Sequence, residues 1–129
     1  MREIKFKAKR LDNGEWAEGY YVKTPTNQHR IYWQPFKEAT SNTYHEVDAE
    51  TVCQYTGIDD RFGAGVFEND IVEAVDFYHQ KSNRKKPIKC VVQFSSGGFH
   101  LSAINEIRFG ISFDGCKVLG NIHDLSPEL

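Results

Sequence analysis

Four carboxylates crowd one stretch of this chain. Asp59 and Asp60 precede a glycine-bearing loop, and Glu68 and Asp70 follow it. Paired carboxylates bind divalent cations or share acid–base work. A Ca²⁺ loop, however, needs oxygen ligands at short regular intervals, and this spacing lacks them. Asp70 is therefore expected to accept backbone N–H bonds in its turn, a role Asp takes readily.

The other reactive side chains are scattered. His29, His45, His79, His100 and His123 are too far apart to pair with one another or with cysteine at a zinc-like spacing. Cys53, Cys90 and Cys116 each lie among apolar neighbours, so they are expected as reduced core thiols rather than activated nucleophiles. Ser95-Ser96-Gly97-Gly98 lacks the G-x-S-x-G frame of a nucleophile elbow. Gly63-Ala64-Gly65 and Gly97-Gly98 are simpler as turns than as phosphate cradles. These residues call for no catalytic group, no metal and no cofactor.

Two surfaces remain. Lys81, Arg84, Lys85 and Lys86, with Lys89, form a basic loop. Together with Lys5, Lys7 and Lys9 they make a candidate phosphate-binding stripe, with Phe77 or Tyr78 placed to stack on a base. The plainer alternative is a solvated hairpin tip beside a lysine-protected strand. Trp16, Tyr20, Tyr21, Tyr32 and Trp33 are more aromatics than one side of a small core needs, and Tyr and Trp are enriched where proteins meet.

The elements that position these residues are mostly strands. Ile4, Phe6 and Ala8 alternate with Lys5, Lys7 and Lys9, which predicts a half-buried strand. Asp12-Asn13-Gly14 supplies a hairpin turn, and residues 16–22 return. Further strands are expected over 30–33, 50–55, 70–75, 88–94, 99–101 and 117–122. Residues 36–48 read as irregular with room for one helical turn, and 59–65 as loop. Asn69 sits where a tight turn wants positive φ. About eight short strands separated by turn signals point to a mainly β fold, with room for one or two short helices, as a small antiparallel barrel-like or bifurcated sheet.

Composition sets the outer bounds. A chain of 129 residues is one ordinary domain, here 1–129, with room for sub-lobes of about 1–48 and 49–129. The 13% aromatic share suits strands, and 26% charge is normal for a folded soluble protein. A net charge of −2 argues against a protein held on nucleic acid chiefly by phosphate neutralisation, while leaving room for a local basic patch. No apolar run approaches the roughly 20 residues that span a bilayer. Met1-Arg2-Glu3-Ile4-Lys5 lacks a signal-peptide core, so the expected location is the cytoplasm, with no membrane partner.

Four blocks in order resemble the YopX-like family of small proteins encoded by bacterial phages and prophages. They are Met1-Arg2-Glu3-Ile4-Lys5-Phe6-Lys7-Ala8; Thr51 to Asp60; Val66-Phe67-Glu68-Asn69-Asp70-Ile71-Val72; and Leu119-Gly120-Asn121-Ile122 running to Glu128-Leu129. Cys53 and Asn69 stand where the family has glycine, and Ser126 where it has asparagine. The resemblance implies a mainly β, phage-derived protein without an established activity.

The expectation is a non-enzymatic protein-interaction or regulatory module that self-associates into a homo-oligomer and meets a host or phage protein. The alternative is a nucleic-acid-binding module using the basic loop 81–89. Gly57, Asn69, Asp70, Gly120 and Asn121 are expected to serve backbone turns.

Overall fold

The computed structural model describes residues 4–33, 43–75, 87–104 and 111–124. Ten strands run through them, with two 3₁₀ turns and no α-helix among the described residues. The chain forms two compact units, Met1–Tyr55 and Thr56–Leu129.

The first unit contains β1 (Phe6–Lys9), β2 (Trp16–Lys23), β3 (His29–Tyr32), β4 (Tyr44–Glu46) and the start of β5 (Cys53–Asp59). All pair antiparallel, in the spatial order β4-β3-β2-β1-β5. The β1–β2 hairpin follows from local chemistry. Gly14 takes φ +73°, and its N–H donates to the Arg10 carbonyl at 2.9 Å. Ala8 stands opposite Ala17, and these two small side chains pack with Ile31 and Val47 into a core on one face of the sheet. Phe6, Tyr21 and Val52 close round that core.

A 3₁₀ turn, Ala49–Thr51, precedes β5 where the sequence suggested continuous strand. Asp48 causes the difference. Its carboxylate accepts the Glu50 N–H at 3.0 Å and so caps the turn. The Thr51 hydroxyl then donates to the Asp48 carbonyl and accepts the Lys9 N–H, fastening the turn to β1. β4 falls in a stretch expected to be irregular.

The second unit holds the rest of β5, which pairs β6 (Gly65–Phe67), and a four-stranded antiparallel sheet. That sheet has the order β10-β7-β8-β9, from β7 (Asp70–Val75), β8 (Pro87–Ser95), β9 (Gly98–Ala103) and β10 (Lys117–Asn121). Val72, Ala74, Ile88, Cys90, Val92 and Leu101 share one face and form its core with Val66, Ile111 and Cys116. A second 3₁₀ turn, Ile122–Asp124, follows β10. The fold is mainly β, as expected, in two antiparallel sheets that are not closed into a barrel.

Candidate functional site

Asp60 accepts three backbone hydrogen bonds in the second unit. It follows the last residue of β5 and begins the turn to β6, and it is only 8% exposed. Its Oδ1 accepts backbone N–H groups from Phe62 at 2.8 Å and Ala64 at 2.9 Å. Its Oδ2 accepts the Val118 N–H at 2.9 Å, reaching the last strand. These bonds to the charged form, led by the one from Val118, hold its carboxyl below the ordinary aspartate value. Two backbone bonds reinforce the turn, Asp60 N–H to Ala64 O and Arg61 N–H to Cys116 O.

The turn carries Phe62 outward, 70% exposed. The Arg61 guanidinium sits 5.1 Å from the Phe62 ring centre, and the Lys117 ammonium 5.9 Å. On β10 the register against β7 shifts between Val118 and Gly120, so Leu119 is the bulged residue and stands 42% exposed. One carboxylate thus stiffens the turn bearing the exposed Phe62 and anchors Val118, next to the bulged Leu119. An exposed aromatic on a fixed backbone, beside arginine, has the make-up of an interface anchor.

Asp70 does related work deeper inside, with no exposed surface. Its Oδ2 accepts the Phe67 N–H at 2.8 Å and its Oδ1 accepts from the Asn121 side-chain amide at 2.9 Å. Asn121 Oδ1 in turn accepts the His123 N–H at 3.0 Å. Asn69 between them takes φ +68°, donates to the Val92 carbonyl and accepts from Ile122 N–H. The structure therefore brings together Asn69, Asp70 and Asn121, from two separate blocks of the sequence. Gly57 and Gly120 are placed otherwise than in turns. Gly57 lies within β5 at φ +86°, and Gly120 lies within β10 just past the bulge.

The remaining candidates separate. Asp59 is exposed at the end of β5, and Glu68 is half-buried. Cys53, Cys90 and Cys116 are buried and in no disulfide, and burial pushes the Cys116 thiol up, with the Asp60 charge adding to the effect. His29 bonds the Tyr21 hydroxyl at 2.6 Å through Nδ1, and His45 packs 4.6 Å from Trp33. Among the described residues no three His, Cys, Asp or Glu side chains gather as a metal-holding group. Lys81, Arg84, Lys85 and Lys86, with His79, Phe77 and Tyr78, lie outside the described residues. Lys89 is exposed on β8 opposite Glu73, which also faces Lys117 across β10, an alternation of charge that suits a solvated sheet face.

Sequence reasoning missed Phe62. Its one signal was a large apolar residue inside a glycine-bearing loop, and periodicity says nothing about exposure there.

No helix among the described residues is long and apolar enough to cross a membrane. No protein of curated function matches the chain. Among solved structures, the crystal structure of protein EF1440 from Enterococcus faecalis is similar in fold, with a TM-score of 0.53 and 20% identity over 96% of each chain. A family model described as YopX protein matches residues 5–129.

Proposed function

This chain belongs to the YopX protein family, and on that premise we propose that it is a non-enzymatic, phage- or prophage-derived interaction module that self-associates in the host cytoplasm. The family resemblance supports the phage origin. The observation that carries the interaction reading is Phe62, 70% exposed on a turn whose backbone Asp60 holds in place. A large apolar side chain left in water on a mobile loop would gain little by binding, because ordering the loop costs entropy. Here the turn is already ordered, so burying the ring against a partner returns most of its hydrophobic free energy. Arg61, stacked beside it, is of the residue type enriched at such anchors.

Size-exclusion with light scattering over a wide concentration range tests this. The expected result is a mass that rises with concentration, and Phe62→Ser weakens association by roughly tenfold or more, as for a residue near an interface centre. A strict monomer at high concentration, or an unchanged mass profile for Phe62→Ser, rejects the self-association.

A further inference from the structure

The sheet of the first unit has a second face, opposite its Ala8–Ile31 core. Register alone fixes what lies there. Lys9 stands opposite Trp16, and Lys7 lies between Cys53 and Glu18. Tyr20, Tyr32 and Tyr44 stand opposite one another across β2, β3 and β4, and Arg30 lies between Val22 and Glu46. Three tyrosines therefore cross three strands as a ladder, with cations on either side of it.

The contacts match the register. Lys7 and Lys9 place their ammonium groups 4.7 and 5.4 Å from the Trp16 ring centre. Lys5 lies 4.6 Å from the Tyr55 ring, and the Arg30 guanidinium 4.2 Å from Tyr44. Arg30 also donates to the Tyr32 hydroxyl at 3.1 Å, and that bond holds its charge more firmly than usual. Tyr20 is the most open ring of the ladder, 45% exposed. Among the described residues this face carries the cations Lys5, Lys7, Lys9 and Arg30 and the carboxylates Glu18 and Glu46. The whole chain is net negative at −2, so the positive charge here is local.

We propose that this face binds single-stranded nucleic acid, with bases stacked on Tyr20 and Trp16 and phosphates held by Lys7, Lys9 and Arg30. Trp16 and Tyr20 lie four residues apart on one face of β2, about 13 Å at strand spacing, which suits two non-adjacent bases of one strand. Stacking platforms for single strands combine open aromatic rings with cations that track the backbone, and both are present here. An ammonium over an aromatic ring is an exchangeable partner. A base takes its place on the ring, and the freed ammonium moves to the adjoining phosphate. Duplex nucleic acid hides its base faces and cannot make the first of these contacts. The site differs from the Phe62 anchor and from the basic loop 81–89.

The test uses the full chain and a fluorescein-labelled thymidine strand of about twenty nucleotides, with a uridine strand as a second arm. Anisotropy at about 50 mM salt is expected to show binding that weakens with salt, at a log–log slope near −2 to −3 for three or four neutralised phosphates. Tyr20→Ala weakens it by about 5- to 100-fold, the usual worth of one stacked base. Lys7→Gln lowers the slope by about 0.7. Glu18→Gln tightens binding by about threefold, because it removes the anion opposite Lys7. In a Trp33→Phe background, fluorescence of Trp16 is quenched on binding. Phe62→Ser leaves oligonucleotide affinity unchanged, so this result and the oligomer result are read separately. No binding at low salt overturns the proposal, as do equal affinity for duplex or unchanged affinity in a folded Tyr20→Ala. Equal competition by polyglutamate also overturns it, in favour of an acidic protein partner.

Discussion

Asp60→Asn isolates one oxygen of one carboxylate. In the native chain Oδ1 serves Phe62 and Ala64 within the turn, and Oδ2 alone serves Val118 on β10. Asparagine keeps one acceptor oxygen and replaces the other with an NH₂ group. With its oxygen turned to Phe62 and Ala64, the amide directs a donor at the Val118 N–H, and two donors then face each other. A hydrogen bond to a charged acceptor contributes about 1.5–3 kcal/mol, so Asp60→Asn is expected to cost about 2 kcal/mol. Asp60→Ala leaves all three N–H groups without their acceptor and should cost about 3–5 kcal/mol.

The same substitution carries a pH signature. The folded carboxyl lies below its ordinary value of 3.8, chiefly through the Val118 bond. Its stabilisation is therefore complete above the unfolded value and is lost as pH falls through the folded one. A protonated Asp60 also presents a donor, much as asparagine does. The stability gap between wild type and Asp60→Asn should therefore hold from pH 7 to about pH 5 and close as acid protonates Asp60. Urea unfolding followed by tryptophan fluorescence and circular dichroism at each pH measures it. Two results would refute the reasoning: an Asp60→Asn cost under about 0.5 kcal/mol, as for an ordinary surface site, or a gap that stays constant down to pH 2.

Three further outcomes are expected. Gly19 takes φ +155°, and a Cβ built there would lie 2.1 Å from the Tyr32 carbonyl oxygen. Gly19→Ala must part β2 from β3 and should cost about 4 kcal/mol in urea unfolding, from backbone strain and overpacking together. Asp70→Ala and Asn121→Ala each orphan buried polar groups. A double-mutant cycle by the same unfolding assay should give a coupling of about 1–2 kcal/mol, and zero coupling would break the assigned bond. A thiol-reactive chromogenic reagent near pH 7.5 should label Cys53, Cys90 and Cys116 slowly in the native chain and promptly in denaturant, because all three are buried.

Local chemistry made the first hairpin legible. The Lys5-Lys7-Lys9 alternation and Asp12-Asn13-Gly14 act within a few residues, and β1 and β2 lie where those signals put them. Asn69 was legible for the same reason, since few residue types accept φ near +68°. The partners of Asp60 and Asp70 were not, because Val118 and Asn121 lie 58 and 51 residues away and nothing local encodes them. β4 gave no signal, since three residues are too few to show a period. Glycine so often forms turns that Gly57 and Gly120 suggest turns from residue type alone. In the fold both lie within strands, Gly57 at positive φ and Gly120 beside a bulge, which the residue type alone does not distinguish.

Those long separations also set an order of events during synthesis. The β1–β2 and β2–β3 pairs can close soon after they leave the ribosome, because their partners are near neighbours in the chain. Asp60 and Asp70 emerge long before β10, and until residues 117–121 follow, Asp60 Oδ2 lacks the Val118 N–H and Asp70 Oδ1 the Asn121 amide that they later accept from. During that interval the edge of β7 that later receives β10 is open to any other strand. A nascent chain stalled before β10 is therefore the form most exposed to proteases and to mispairing, and arrival of the last strand commits the second unit to its native shape.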